Sequence, residues 1–174
     1  MDGEAVRPGR PGRGYWFEEL AVGQVFDSPG RTITETDVVN FAGLSGDYTP
    51  VHTDAEYARR MPFRRRIAHG MLVQSIATGL GTRTGVLEGT IAAISGVTID
   101  WKAPVFPGDT IRLRLEVAEL GASPAKRTGR VVYRAHVLNQ RDQVVSEGTW
   151  SAIMLRAPRA AARPIETVAG EVQP

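Results

Sequence analysis

The sequence of 174 residues has no cysteine, which removes disulfides, thiolate metal ligands and a cysteine nucleophile together. Lysine is nearly absent too, with Lys102 and Lys126 alone among 21 basic residues set against 19 acidic ones. A net charge of +2 gives no strong pull toward nucleic acid or a membrane surface. No apolar run approaches the roughly 18 residues that span a bilayer, and the Gly/Arg/Pro-rich start lacks the apolar stretch of a secretory signal. No phosphate-cradling glycine loop, Gly-x-Ser-x-Gly elbow or metal-ligand cluster stands out, so no cofactor and no metal are expected. A soluble cytoplasmic protein of one domain is expected, long enough to bury a core without staples.

Residues 1–14 carry too little apolar surface to offset their ordering entropy and are expected as a disordered tail. Residues 157–174, rich in Ala, Pro and Arg, are expected as a loose C-terminal tail, which leaves a domain over 15–156. Within it, Ser28-Pro29-Gly30 separates two short extended pieces. Thr34 reads as the cap of a helix that Gly46 ends, and Asp54 as the cap of a short helix that Pro62 stops. Asp47 to His52 is then a loop between two helices, stiffened by Pro50.

From His69 to about Arg83, apolar residues fall on most sides, which predicts a buried helix with no solvent face. The second half alternates apolar and polar residues, as in Ile111, Leu113, Leu115 and Val117, and predicts four strands in meander-like succession. An antiparallel sheet wrapped on one long central helix satisfies this count, an α+β fold. Its open edges would be covered by pairing into a homodimer or a higher homo-oligomer.

Asp47 and His52 carry the chemistry of the first half. Singly, Asp47 before a proline can be a turn-stabilising carboxylate, and His52 a structural histidine. Jointly, across one turn containing Pro50, they can converge on one water and act as an acid/base pair. Gly70 at a helix start either allows close packing or offers a bare N–H at the positive helix end to a developing oxyanion. His69 is given no catalytic role, and His136, in an alternating strand, reads as structural. The arginines Arg59, Arg60, Arg64, Arg65 and Arg66 could bind phosphates, but a solvated face is the usual meaning of such a run. No aromatic interleaving accompanies them to suggest nucleic acid.

At these residues the sequence resembles the MaoC-like family, the (R)-specific enoyl-CoA hydratases of hotdog fold. The family's Gly-Asp-x-Asn-Pro-hydrophobic-His motif stands here as Gly46-Asp47-Tyr48-Thr49-Pro50-Val51-His52. Ile67-Ala68-His69-Gly70-Met71-Leu72 and Ala103-Pro104-Val105-Phe106-Pro107-Gly108-Asp109 also look like the family's, and the likeness runs from about Phe17 to Leu155. The resemblance implies that Asp47 and His52 activate water together and that Gly70 N–H holds the thioester oxygen. Thr78 falls where some members carry a serine near the substrate, and Thr49 replaces the usual Asn. The implied reaction is reversible syn addition of water to a 2-enoyl thioester, giving a (3R)-hydroxyacyl thioester. Its carrier would be CoA or an acyl carrier protein. Two rivals share the fold: an acyl-CoA thioesterase, and a non-catalytic acyl-CoA-binding module.

Overall fold

A computed structural model describes residues 13–158. Most of both expected tails, 1–12 and 159–174, lies outside the described residues. At the start, Arg13 pairs with Glu19 at 2.8 Å and Gly14 N–H donates to Glu88 O. The elements run β1 (Val25–Asp27), β2 (Arg31–Thr32), α1 (Glu35–Ser45), α2 (Pro50–Thr53), α3 (Ala55–Arg59), α4 (Gly70–Arg83), β3 (Ile91–Trp101), β4 (Thr110–Ala122), β5 (Thr128–Asn139) and β6 (Val144–Leu155).

The strands form one antiparallel sheet in the order β1-β4-β5-β6-β3, with β2 also pairing with β4. Strand alternation sorts the core. Ile111, Leu113, Leu115 and Val117 of β4 and Val131, Tyr133 and Val137 of β5 point inward, almost without exposure. Leu72, Val73, Ala77 and Leu80 of α4 join the same cluster, so one long helix lies against one sheet face. This is the α+β architecture expected.

Three expectations need correcting. β3 to β6 are not one meander: β3 crosses to the far edge and pairs with β6, Val97 opposite Trp150. Pro104 and Pro107 cannot donate to a ladder, so the chain leaves β3 and starts β4 beside β2 instead. α4 is not buried all round. Met71, Ser75, Thr78, Gly79 and Thr82 form an exposed face, because the sheet of a single chain covers only one side. Nor is residue 52 in a loop. Pro50, with its φ already set for the first helical position, starts the one-turn α2 with Thr49 as its cap residue.

The elements around the site are pinned at their ends. Thr34 and Asp37 form a capping box on α1, with Asp37 also held by Arg31 at 2.7 Å. α1 stops at Gly46, whose φ of 75° is left-handed and releases the chain into the Asp47 turn. The strand-like stretch before α4 is tied on both sides, Ile67 N–H to Val51 O and Ala68 N–H to Val105 O. Among the described residues, no helix is long and apolar enough to cross a membrane.

Candidate active site

Those ties bring the end of α1, α2 and the start of α4 around one cavity of about 550 Å³. Asp47, His52, His69 and Gly70 line it, with apolar walls that include Phe41, Phe63, Val73, Trp101 and Val105. Carboxylate and ring-nitrogen atoms of Asp47, His52 and His69 lie within 4.8 Å of one another.

Asp47 accepts from both the Thr49 hydroxyl, at 2.5 Å, and the Thr49 N–H, at 3.1 Å. These bonds, helped by the nearby imidazoles of His52 and His69, hold its carboxyl below the usual carboxylate range. Thr49 therefore does its work as a donor, for which one hydroxyl is enough. His52 presents Nδ1 to the Ile67 carbonyl at 2.8 Å. A carbonyl only accepts, so Nδ1 carries the proton and Nε2 keeps a lone pair able to act as a base.

His69 is the residue that sequence reasoning passed over. It is buried and stacks on His52 with centroids 3.9 Å apart, while its Nε2–H donates to the Asp47 carbonyl at 2.9 Å. One imidazole thus fixes the backbone of the acid and the ring of its partner. Its Nδ1 is buried with no partner among the described residues. The available signal was a histidine directly before the glycine that opens an apolar helix, a place where a side chain points back over the preceding turn. Asp47, His52 and His69 are also the set that could hold a divalent ion, although each histidine already has one ring nitrogen committed to a carbonyl.

Gly70 is the first residue of α4, and no side chain caps that end. Its N–H has no acceptor among the described residues, so the positive end of the helix opens on the cavity. A Cβ built on Gly70 would meet Trp101 Nε1 at 2.6 Å, so the indole can lie on the helix start only because residue 70 is glycine. Thr78 is elsewhere. It sits on the exposed face of α4, its hydroxyl donates to Ser75 O at 2.6 Å, and it does not line the cavity.

This arrangement can bind an apolar acyl group, polarise a carbonyl at the helix start and move a proton on one side of it. Comparison with known proteins points the same way. The chain is 37% identical over 137 residues to the 3-hydroxybutyryl-CoA dehydratase of Methylorubrum extorquens, covering 78% of this chain and 82% of that one. Its structure resembles that of the R-hydratase PhaJ1 from Pseudomonas aeruginosa with a TM-score of 0.68 and 36% identity, over 83% of this chain and 88% of the other. A Mycobacterium tuberculosis protein described as a double hotdog fold matches with a TM-score of 0.70 at 24% identity, over 87% of this chain and 46% of the other, a likeness of fold alone. The family model described as a MaoC like domain matches residues 18–139, and the chain belongs to that family of hotdog-fold hydro-lyases.

Proposed function

We propose that the protein is an (R)-specific enoyl-CoA hydratase/dehydratase, with Asp47 and His52 as its acid/base pair and Gly70 N–H as its oxyanion donor. The observation that carries this reading is the convergence of Asp47 and His52 at the uncapped start of α4 within one apolar-walled cavity. In the hydration direction, water held by the ionised Asp47 carboxylate gives a proton to the pair as His52 Nε2 draws on it. The water oxygen bonds to the β-carbon, and the thioester oxygen takes the displaced electron pair as an enolate. Gly70 N–H stabilises that charge. The enolate collapses as the pair returns a proton to the α-carbon. Every proton moves on one face, so the addition is syn, and the family resemblance favours the (3R) product.

Acyl-CoA is the substrate class we favour over a carrier-protein thioester, and a homodimer the assembly. β3 is an eleven-residue edge strand with Ile94, Val97 and Trp101 exposed, an unpaired ladder of the kind a second copy covers. Trp101 also walls the cavity, so a copy docked on β3 would help close it.

The test is loss of enoyl-thioester absorbance with crotonyl-CoA and a longer enoyl-CoA, with chiral analysis of the product. The wild type is expected to give the (3R) alcohol, and Asp47→Asn and His52→Ala each to abolish turnover. Release of free thiol without loss of the double bond would replace this reading with a thioesterase. Sedimentation velocity checks the dimer; a monomer at all concentrations would refute it.

A further inference from the structure

A second cavity, of about 310 Å³, opens beside the first and is lined by Arg59, Arg64, Arg65, Arg66, Phe106 and Pro107, with Glu35 at its side. The linings of the two cavities adjoin along two stretches of the chain. Phe63 and Ile67 face the first while Arg64, Arg65 and Arg66 face the second; Val105 faces the first while Phe106 and Pro107 face the second. Successive residues are about 3.8 Å apart, so the two linings adjoin at 63–67 and 105–107, and a ligand extended from the apolar cavity over these stretches would reach the arginines.

These arginines are not equally occupied. Arg66 is bound by both oxygens of Glu35 at 2.8 Å, and Arg59 is paired with Glu56. Arg64 and Arg65 have no carboxylate partner among the described residues. Arg65 nonetheless has a fixed place, its guanidinium 3.6 Å from the centroid of the Phe106 ring. Phe106 is itself anchored, its N–H donating to Asp109 at 2.9 Å. Arg64 stands at φ 60°, a left-handed conformation that a side-chain-bearing residue keeps only when its surroundings impose it. A plain solvated face does not require a strained arginine beside a stacked one.

The apolar cavity, by contrast, has Lys102 as its sole lysine or arginine, and that is paired with Glu147 at 2.8 Å. It suits an acyl chain and a thioester and leaves the phosphates of a CoA without a countercharge. We propose that Arg64 and Arg65, backed by Arg59, form the site for the phosphate groups at the nucleotide end of the acyl-CoA. Planar guanidinium forks match phosphate oxygens two at a time. This assignment rests on the acyl-CoA reading of the neighbouring cavity.

The experiment pairs Arg64→Gly with Arg65→Ala. Glycine suits φ 60°, so the double variant relieves strain and is expected to stay folded. On crotonyl-CoA the variant loses about 10- to 100-fold in kcat/KM, carried by KM, as expected for lost charge-assisted bonds. On crotonyl-pantetheine, which lacks the nucleotide, it matches the wild type. Calorimetry with adenosine 3′,5′-bisphosphate reads the site without turnover: the wild type binds it and the variant loses most of that binding. Equal losses on both thioesters, or none on either, overturn the proposal. So does failure of the wild type to bind the bisphosphate. If the bisphosphate binds at the arginines but neither thioester is hydrated, the phosphate site stands and the hydratase reading falls.

Discussion

Gly70→Ala separates the chemistry from the fold. The added methyl would lie 2.6 Å from Trp101 Nε1, 2.7 Å from Cε2 and 3.1 Å from Cζ2. Ordinary contacts between such atoms are about 3.5–4.0 Å, so the indole edge must retreat by roughly 1 Å. Trp101 ends an edge strand and is 54% exposed, so it can move without disturbing the core. An off-rotamer side chain costs about 0.5–1.5 kcal/mol. Replacing glycine by alanine in a helix returns up to about 1 kcal/mol. Net stability should therefore shift by less than about 1 kcal/mol in chemical denaturation.

Activity should not survive so well. The methyl and the displaced indole both crowd the space in front of the Gly70 N–H, and loss of an oxyanion donor lowers kcat by about 10²- to 10³-fold. Crotonyl-CoA hydration at saturating substrate measures it. Trp101→Ala in the same background tells the two obstructions apart: recovery identifies the indole, no recovery identifies the methyl. Full activity in Gly70→Ala would refute the assignment of the helix start as the place where the thioester oxygen sits.

Thr49→Val removes the hydroxyl that donates to Asp47 and keeps the side-chain shape. With Thr49 in place the Asp47 carboxyl is held low, so the base form persists as pH falls; without it the folded-state value rises. The acid limb of the kcat/KM profile should therefore move to higher pH, and an unmoved limb would mean that another group titrates there. His69→Phe keeps a ring beside His52 but deletes the bond to the Asp47 carbonyl. It should lower kcat by about tenfold or more with KM little changed, since misplacing a catalytic group by 1 Å has large effects; a pure KM effect would argue against a positioning role. Tyr133→Phe should stabilise the fold by about 1 kcal/mol or be neutral, because the buried Tyr133 hydroxyl has no partner among the described residues and burial pushes its ionisation up. A large loss in a urea melt would show that the hydroxyl is satisfied after all.

Much of the fold was legible because local chemistry and tertiary packing agree. Thr34, Gly46 and Asp54 act at the helix ends where their side chains or backbone freedom suit them, and β4 alternates because one face meets the core. What was not legible depends on partners distant in sequence. Whether β3 pairs with β4 or β6 cannot be read from its own residues, since a β-branched run satisfies either neighbour. The exposed side of α4 has a related cause. Met71, Ser75, Thr78 and Gly79 differ little in polarity from the buried Val73, Gln74 and Ala77, so no sharp stripe announces which side meets the sheet.

The site divides in the same way. Asp47 and His52 were legible because they flank one proline turn, and their convergence is a matter of a few bonds. His69 was not, because its value lies in reaching back 22 residues to the Asp47 carbonyl and across to the His52 ring. Thr78 differs again: a hydroxyl placed by analogy sits on the exposed face of α4, does not line the cavity and donates to its own helix at Ser75 O. Thr49 lies between the two. Asn would offer a donor and an acceptor, yet the side-chain group the geometry uses at this position is a donor two residues from Asp47, and threonine has one. The turn therefore tolerates any residue that donates to Asp47 while leaving Pro50 to start α2. By that logic Thr49→Asn should preserve turnover and Thr49→Val should not preserve its pH dependence, which makes the hydrogen bond, and not the residue type, the feature that the motif encodes.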